Sequence, residues 1–143
     1  MMLIPFHNSD GFVQACQIRF MCRTIKGVRY VWLSTPKKLG GLSSGTPLHF
    51  ACHDAVSSDK PILITEGALK AETAQTLRPE YSVIASAGVS CSHREIIQAT
   101  RFRSVLIAFD SDYRQNRQVA RHIARLLEMR LADANQNGYD FHT

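Results

Sequence analysis

Three short apolar segments, each followed by a turn or an acidic residue, constrain the fold of this 143-residue chain more than any other feature. The segments are 62–65 (ILIT), 81–85 (YSVIA) and 104–109 (SVLIAF). Apolar runs of this length are typical of strands buried on both faces. Helix-forming sequence separates them, and strands alternating with helices imply right-handed crossovers. We therefore predict an α/β fold with a small parallel sheet flanked by helices.

The segments around these strands predict three helices. Residues 68–77 are good helix formers and are followed by Pro79. Ser92, with Glu95 three residues later, is the predicted N-cap of a short helix. A long helix is predicted over about 114–131, and the polar tail after it is expected to fray or to form an edge strand.

The first 60 residues have a β-rich texture. Residues 12–20 alternate partly between apolar and polar, residues 28–33 are aromatic and β-branched, and Gly27 lies near the turn between them. This pattern predicts an antiparallel hairpin. We therefore divide the chain into a β-rich N-terminal segment, 1–60, and an α/β domain, 61–143.

Composition narrows the classes of partner. The formal net charge is +5 and the isoelectric point is about 9.3, which favours polyanions such as DNA or RNA. No segment approaches the roughly 18 to 20 apolar residues that span a bilayer, so we expect a cytoplasmic protein with no membrane partner. The four cysteines lack zinc-site spacing, and we expect free, mostly buried thiols.

Acidic residues follow two of the predicted strands directly. Glu66 ends the first, Asp110 follows the third, and Asp112 lies two residues further on. The carboxyl ends of parallel strands share one edge, where ligands bind. Three oxygen ligands suit Mg²⁺, or Mn²⁺ in its place, and a cation relieves their mutual repulsion. Taken alone, Glu66 could instead be a capping or first-turn residue of a helix, and Asp110 with Asp112 could instead form a plain turn.

Glycines and a lysine at the same predicted edge are candidates for phosphate contact. Gly67 and Gly88 follow two strands, and a missing Cβ lets the backbone approach a ligand closely, although both also suit simple turns. Lys70 lies one turn past Glu66 and could contact a phosphate; the alternative is an ordinary surface lysine.

The last predicted helix carries a stripe of arginines. At 100° per residue they fall within about 80° of one another, and they are Arg114, Arg117, Arg121 and Arg125. Their helix buries its opposite, apolar face. The stripe predicts contact with nucleic-acid phosphates, and the alternative is a solvated face with no partner.

The two acidic motifs and their strands resemble the Toprim domain, which is shared by bacterial-type primases, type IA and type II topoisomerases and some nucleases. The similarity lies in residues 62–67 (ILITEG), the glycine after the next strand, and residues 105–112 (VLIAFDSD). It is greatest to the Toprim-like domains of phage- and plasmid-type replication proteins and primases. Segments 30–34 and 44–50 look like the region preceding Toprim in primases.

The resemblance implies a Rossmann-like Toprim fold, with Glu66 as general acid or base and with Asp110 and Asp112 holding Mg²⁺. It also implies nucleic acid and nucleotides as ligands, and a helicase or other replication domains of a larger protein as partners. Where many members have a glycine or a third acid shortly after the aspartates, this chain has residues 113–116 (YRQN), so Asn116 becomes a candidate oxygen ligand.

Three functions remain open from the sequence: a primase-type nucleotidyltransferase module in DNA replication of a phage- or plasmid-like element, a metal-dependent nuclease, and a non-catalytic nucleic-acid-binding module. The same acids would serve the first two activities. An Asp-x-Asp motif also occurs in haloacid-dehalogenase phosphatases, but there it follows the first strand rather than the third.

Overall fold

Two sheets and three helices make up the structure of the protein, a computed structural model that describes residues 1–22, 27–37, 39–52, 59–110 and 115–142. The fold is mixed α/β with a β-rich N-terminal region, as the sequence predicts. Within the described residues, no helix is both long and apolar enough to cross a membrane.

The N-terminal sheet has three antiparallel strands, in the order β1 (Met2–His7), β2 (Val13–Arg19) and β3 (Tyr30–Trp32). Strands β2 and β3 form the predicted hairpin, which is therefore confirmed. Strand β1 was not predicted, because its short apolar sequence contains Pro5. Proline is accommodated there since β1 lies at the edge of the sheet.

The larger sheet has four strands in the order β4-β6-β5-β7, and three of them match the predicted parallel set. The strands are β4 (His49–Phe50), β5 (Ile62–Glu66), β6 (Ser82–Ser86) and β7 (Val105–Ala108). Strand β4 pairs antiparallel with β6, so the sheet is mixed rather than wholly parallel. Because β4 comes from the first 60 residues, the N-terminal segment contributes to both sheets.

Helices cover both faces of the larger sheet. They are α1 (Ala68–Leu77), α2 (His93–Ala99) and α3 (Arg117–Asn137). Ala71 of α1 packs against Leu63 and Val83 on one face. Ile96 of α2 and Leu126 of α3 belong to the apolar cluster on the other face. Burial on both faces explains the continuous apolar character of β5 and β6.

Helix α2 has the predicted bounds, with Ser92 at the N-cap position, but it lacks the predicted capping interaction; the bounds of α3 differ from the prediction. Ser92 has a left-handed backbone (φ 60°), and its hydroxyl donates to the Thr46 carbonyl at 2.6 Å instead of capping α2. Helix α3 starts at Arg117, since the Asn116 side chain accepts from the main-chain N–H groups of its first turn. It continues to Asn137, past the predicted end, and the described tail forms no strand.

Arg130 of α3 is buried, although sequence reasoning would place it at the surface. Its guanidinium donates to the main-chain carbonyls of Thr100 (3.3 Å) and Arg103 (2.6 Å), which lie between α2 and β7. Burial lowers the pKa of Arg130 from its ordinary value. The side chain therefore joins α3 to the segment between α2 and β7.

All four cysteines are free, as predicted. Their expected burial is only partly right, because Cys22 is exposed and Cys16, Cys52 and Cys91 are half-buried.

A surface ion pair ties α3 to the turn after α2. Arg101 donates to both carboxylate oxygens of Asp133, at 2.9 and 2.5 Å, and the Tyr139 hydroxyl donates to the same carboxylate at 2.7 Å. The hydrogen bonds from Arg101, followed by that from Tyr139, hold the pKa of Asp133 below its ordinary value of 3.8.

We predict that Asp133→Asn lowers the free energy of unfolding at about pH 7, and that this difference shrinks as the pH falls below about 4. A carboxyl whose pKa is depressed by folding stabilises the folded state above its ordinary pKa. That stabilisation disappears as the pH drops through the lower folded value. Urea unfolding across this pH range measures the effect, with Asp140→Asn as control. A difference independent of pH would contradict the prediction.

Candidate functional site

Glu66 and Asp110 line one cleft at the carboxyl edge of the larger sheet. Strands β5 and β7 are neighbours, with Thr65 opposite Ala108, so residues just beyond them meet at the same edge. The cleft has a volume of about 460 Å³, the size of a small-molecule site. Asp112 lies outside the described residues. The structure thus brings together two of the three predicted acids.

The opposite wall of the cleft comes from the N-terminal sheet. One face of this sheet packs through Ile4, Phe6 and Trp32 against Ala68, at the start of α1. In the strand register, Gln17 is opposite both Ile4 and Trp32, so it belongs to that face. The N-terminal sheet is therefore fixed directly beside the acidic edge.

The same face of the sheet extends beyond this packed part and over the acids. We call this extension, together with Arg29 just before β3, the overhanging wall; its residues Gln17, Arg19, Arg29 and Tyr30 all line the cleft. Arg19 and Tyr30 are register partners, and the Arg19 Cζ atom lies 5.8 Å from the centre of the Tyr30 ring. Sequence reasoning missed these residues, because the alternation of β2 separates its two faces without specifying what either face covers.

Lys70 provides the cation nearest to the predicted metal ligands. Its ammonium donates to Oδ1 of Asp110, and both side chains are about half exposed. With Arg19 and Arg29 on the overhanging wall, the cleft contains three cations and, in Glu66 and Asp110, two carboxylates. This excess of positive charge suits an anionic ligand that brings its own divalent cation.

The two predicted glycines have different positions. Gly67 lines the cleft with φ +82°, a conformation that disfavours any side chain. Gly88 has no positive φ, and an added Cβ would make an ordinary contact with Cys91. Gly88 is also not among the residues lining the cleft.

The arginine stripe lies elsewhere. Arg117 and Arg121 are exposed on α3 and do not line the cleft, and Arg114 is outside the described residues. Asn116 was a candidate oxygen ligand, but its side-chain oxygen accepts from Gln118 and Val119 instead. Contact of the stripe with a nucleic acid remains a prediction.

The carboxyl edge offers two carboxylates with the chemistry of Mg²⁺ ligands. Glu66 and Asp110 supply hard oxygen atoms. The hydroxyl groups of Thr65 and Ser86, near the ends of β5 and β6, are buried without a hydrogen-bond partner among the described residues, but neither residue lines the cleft. A cation, the Lys70 ammonium, already contacts Asp110. The residues present therefore fit a divalent cation, with Asp110 as the most accessible ligand.

A second group with metal-ligand chemistry has a structural role instead. The ligand atoms of His7, His49 and Glu72 lie within 4.8 Å of one another. However, Nδ1 of the fully buried His49 accepts from the His7 main-chain N–H at 3.1 Å. The proton of the neutral ring is therefore on Nε2, which donates to Glu72 at 2.9 Å. This nitrogen has no free lone pair for a metal, and His49 instead joins β1, β4 and α1.

Comparison with known proteins shows a likeness in fold. No protein-family model matches the chain, and no curated protein is significantly similar to it. A crystal structure of the Aquifex aeolicus primase, containing its zinc-binding and RNA polymerase domains, matches with a TM-score of 0.53 and 18% sequence identity. The match covers 76% of this chain and 26% of the primase chain. At this identity, the likeness concerns the fold alone.

We predict that His49→Leu lowers the free energy of unfolding by about 1–3 kcal/mol, because the buried side chain loses both hydrogen bonds and the His7 N–H loses its partner. Glu72→Gln is the matched control, since its amide oxygen still accepts from Nε2 and we expect a change below about 1 kcal/mol. Urea unfolding measures both variants. If Glu72→Gln is as destabilising as His49→Leu, the assigned tautomer is wrong.

Proposed function

We propose that the chain is a Toprim module of primase type that transfers nucleotides with Mg²⁺, Mn²⁺ being able to replace it. The observation that carries the proposal is the cleft itself, in which Glu66 and Asp110 stand opposite a cationic wall. A metal-bound nucleoside triphosphate combines the two properties that this cleft would recognise, namely a divalent cation and several phosphate charges.

The likeness in fold supports the primase type of this activity. The structural neighbour contains RNA polymerase domains, and for this chain we propose polymerisation of ribonucleotides on a DNA template. The chain spans about a quarter of that primase. We therefore propose that it works with a helicase or other replication domains, in the cytoplasm, in the replication of a phage- or plasmid-like element.

The residues of the cleft divide the chemistry between them. Mg²⁺, when bound, neutralises charge on the reacting phosphate and orients it. Asp110, together with Asp112, would hold the cation, and the Glu66 carboxylate would accept the proton of the attacking hydroxyl. On the overhanging wall, Arg19 would contact phosphate oxygens and Tyr30 would stack against a base.

We predict that Asp110→Asn and Glu66→Gln each reduce templated ribonucleotide incorporation about 100-fold or more, because each removes a group that acts on the reacting phosphate. Incorporation is measured with single-stranded DNA, ribonucleotides and Mg²⁺ or Mn²⁺. Asp140→Asn and Glu80→Gln make the same charge changes at exposed positions outside the cleft and should retain activity.

Two results would contradict this assignment. Wild-type chain that cleaves the nucleic acid in a metal-dependent manner, with loss in the same two variants, would identify a nuclease. Wild-type chain that binds nucleic acid in EDTA, is unaffected by Asp110→Asn and incorporates no nucleotide would identify a non-catalytic binding module.

A separate prediction concerns the overhanging wall. Arg19→Ala should weaken binding of ATP in the presence of Mg²⁺ about tenfold or more, because a charge-assisted hydrogen bond to phosphate is lost. Isothermal titration calorimetry measures the affinity. Arg78→Ala is the control, since this arginine pairs with Glu80 on the surface and should not affect binding. Equal affinities of wild type and Arg19→Ala for ATP would show that the overhanging wall takes no part in nucleotide binding.

A further inference from the structure

We propose that Lys70 is the exchangeable counter-ion of Asp110. It neutralises that carboxylate before a divalent cation binds, and its ammonium then moves to a phosphate of the ligand. This inference rests on the proposed function and assigns to Lys70 a positioning role in loading the metal and the nucleotide.

The contact between the two residues joins two elements that line the cleft. Lys70 lies in the first turn of α1, and Asp110 follows β7, 40 positions later in the chain. Their side chains are 50% and 55% exposed, so solvent screens the ion pair and it opens readily. The flexible four-carbon stem of lysine allows the ammonium to move without a shift of α1.

A divalent cation and the ammonium compete for the same carboxylate. Lysine has only hydrogen-bond donors, so it cannot become a ligand of the metal while protonated. An ammonium left on Oδ1 of Asp110 would also stand close to a metal on the other carboxylate oxygen, where the two positive charges repel. Metal binding therefore favours release of Lys70 from Asp110.

The released ammonium remains within the ligand site. Lys70 itself lines the cleft, beside Gly67 and opposite the overhanging wall. A triphosphate bound to the metal would place anionic oxygen atoms there, and these make charge-assisted hydrogen bonds with lysine. The same side chain thus opposes binding of a bare metal ion and favours binding of a metal–phosphate complex.

The effects of Lys70 on binding of the bare metal ion and of the metal–phosphate complex have opposite signs. This difference distinguishes an exchangeable counter-ion from a residue with a purely structural role. If Lys70 only fastened α1 to the end of β7, its removal would lower stability and leave metal affinity unchanged or weaker. If Lys70 is an exchangeable counter-ion, its removal strengthens binding of the metal alone and weakens binding of the metal with its phosphates.

The experiment compares wild type with Lys70→Met and Lys70→Arg, using electron paramagnetic resonance to measure free Mn²⁺. Without a phosphate ligand, Lys70→Met should bind Mn²⁺ about two- to fivefold more tightly, the range expected from loss of an exposed ion pair. With inorganic triphosphate, the Mn²⁺ complex should bind to Lys70→Met about tenfold more weakly. Lys70→Arg should resemble wild type in both measurements.

Lys60→Met is the matched control. It removes the same charge at the opposite end of β5, away from the cleft, and should leave both affinities unchanged. Circular dichroism establishes that each variant is folded, and Lys70→Gln provides the same comparison if Lys70→Met does not fold.

Every other outcome of these binding measurements contradicts either the role of Lys70 or the metal site itself. Unchanged or weaker Mn²⁺ binding by Lys70→Met would overturn the inference, as would unchanged binding of the Mn²⁺–triphosphate complex. If wild type binds Mn²⁺ no better than Asp110→Asn does, the metal site itself is wrong, and the proposed function fails together with this inference.

Discussion

Parallel pairing of β5 with both β6 and β7 is the constraint on which the rest of the structure depends. A strand that is paired along both edges and covered on both faces has no exposed side for polar residues, so functional groups can only follow its end. Glu66 lies at that end, and the parallel arrangement places Asp110 at the same edge. Helix α1 starts there too, which places Lys70 in contact with Asp110.

Much of this arrangement could be predicted from the sequence. Apolar runs predict the buried strands, and the residues that directly follow each run lie at the end of its strand. The three parallel strands, the β2–β3 hairpin and the shared edge of Glu66 and Asp110 all depend on such local patterns. The capping interaction of α2 and the ends of α3 were less predictable. Ser92 has its hydroxyl engaged by Thr46, a contact 46 positions away that no local capping motif reveals.

The parts that sequence reasoning missed depend on long-range packing. Strand β4 has only two residues and owes its existence to pairing with β6. Arg130 is buried because its guanidinium donates to main-chain carbonyl groups between α2 and β7, which lie 30 and 27 positions away in the sequence. The overhanging wall was missed for a related reason. Arg19 and Tyr30 become part of a site only when the N-terminal sheet docks on α1, and the alternation within β2 does not specify what that face covers.

The N-terminal sheet is attached through an apolar cluster of its own, around Phe6 and Ala68, separate from the two clusters of the larger sheet. The residues of the overhanging wall are not part of this apolar cluster, so they contribute little to the stability of the fold. Selection can therefore change them while the acids and the central strands stay constant. In evolutionary terms, the lining of this cleft can diverge faster than the sheet whose edge carries Glu66 and Asp110.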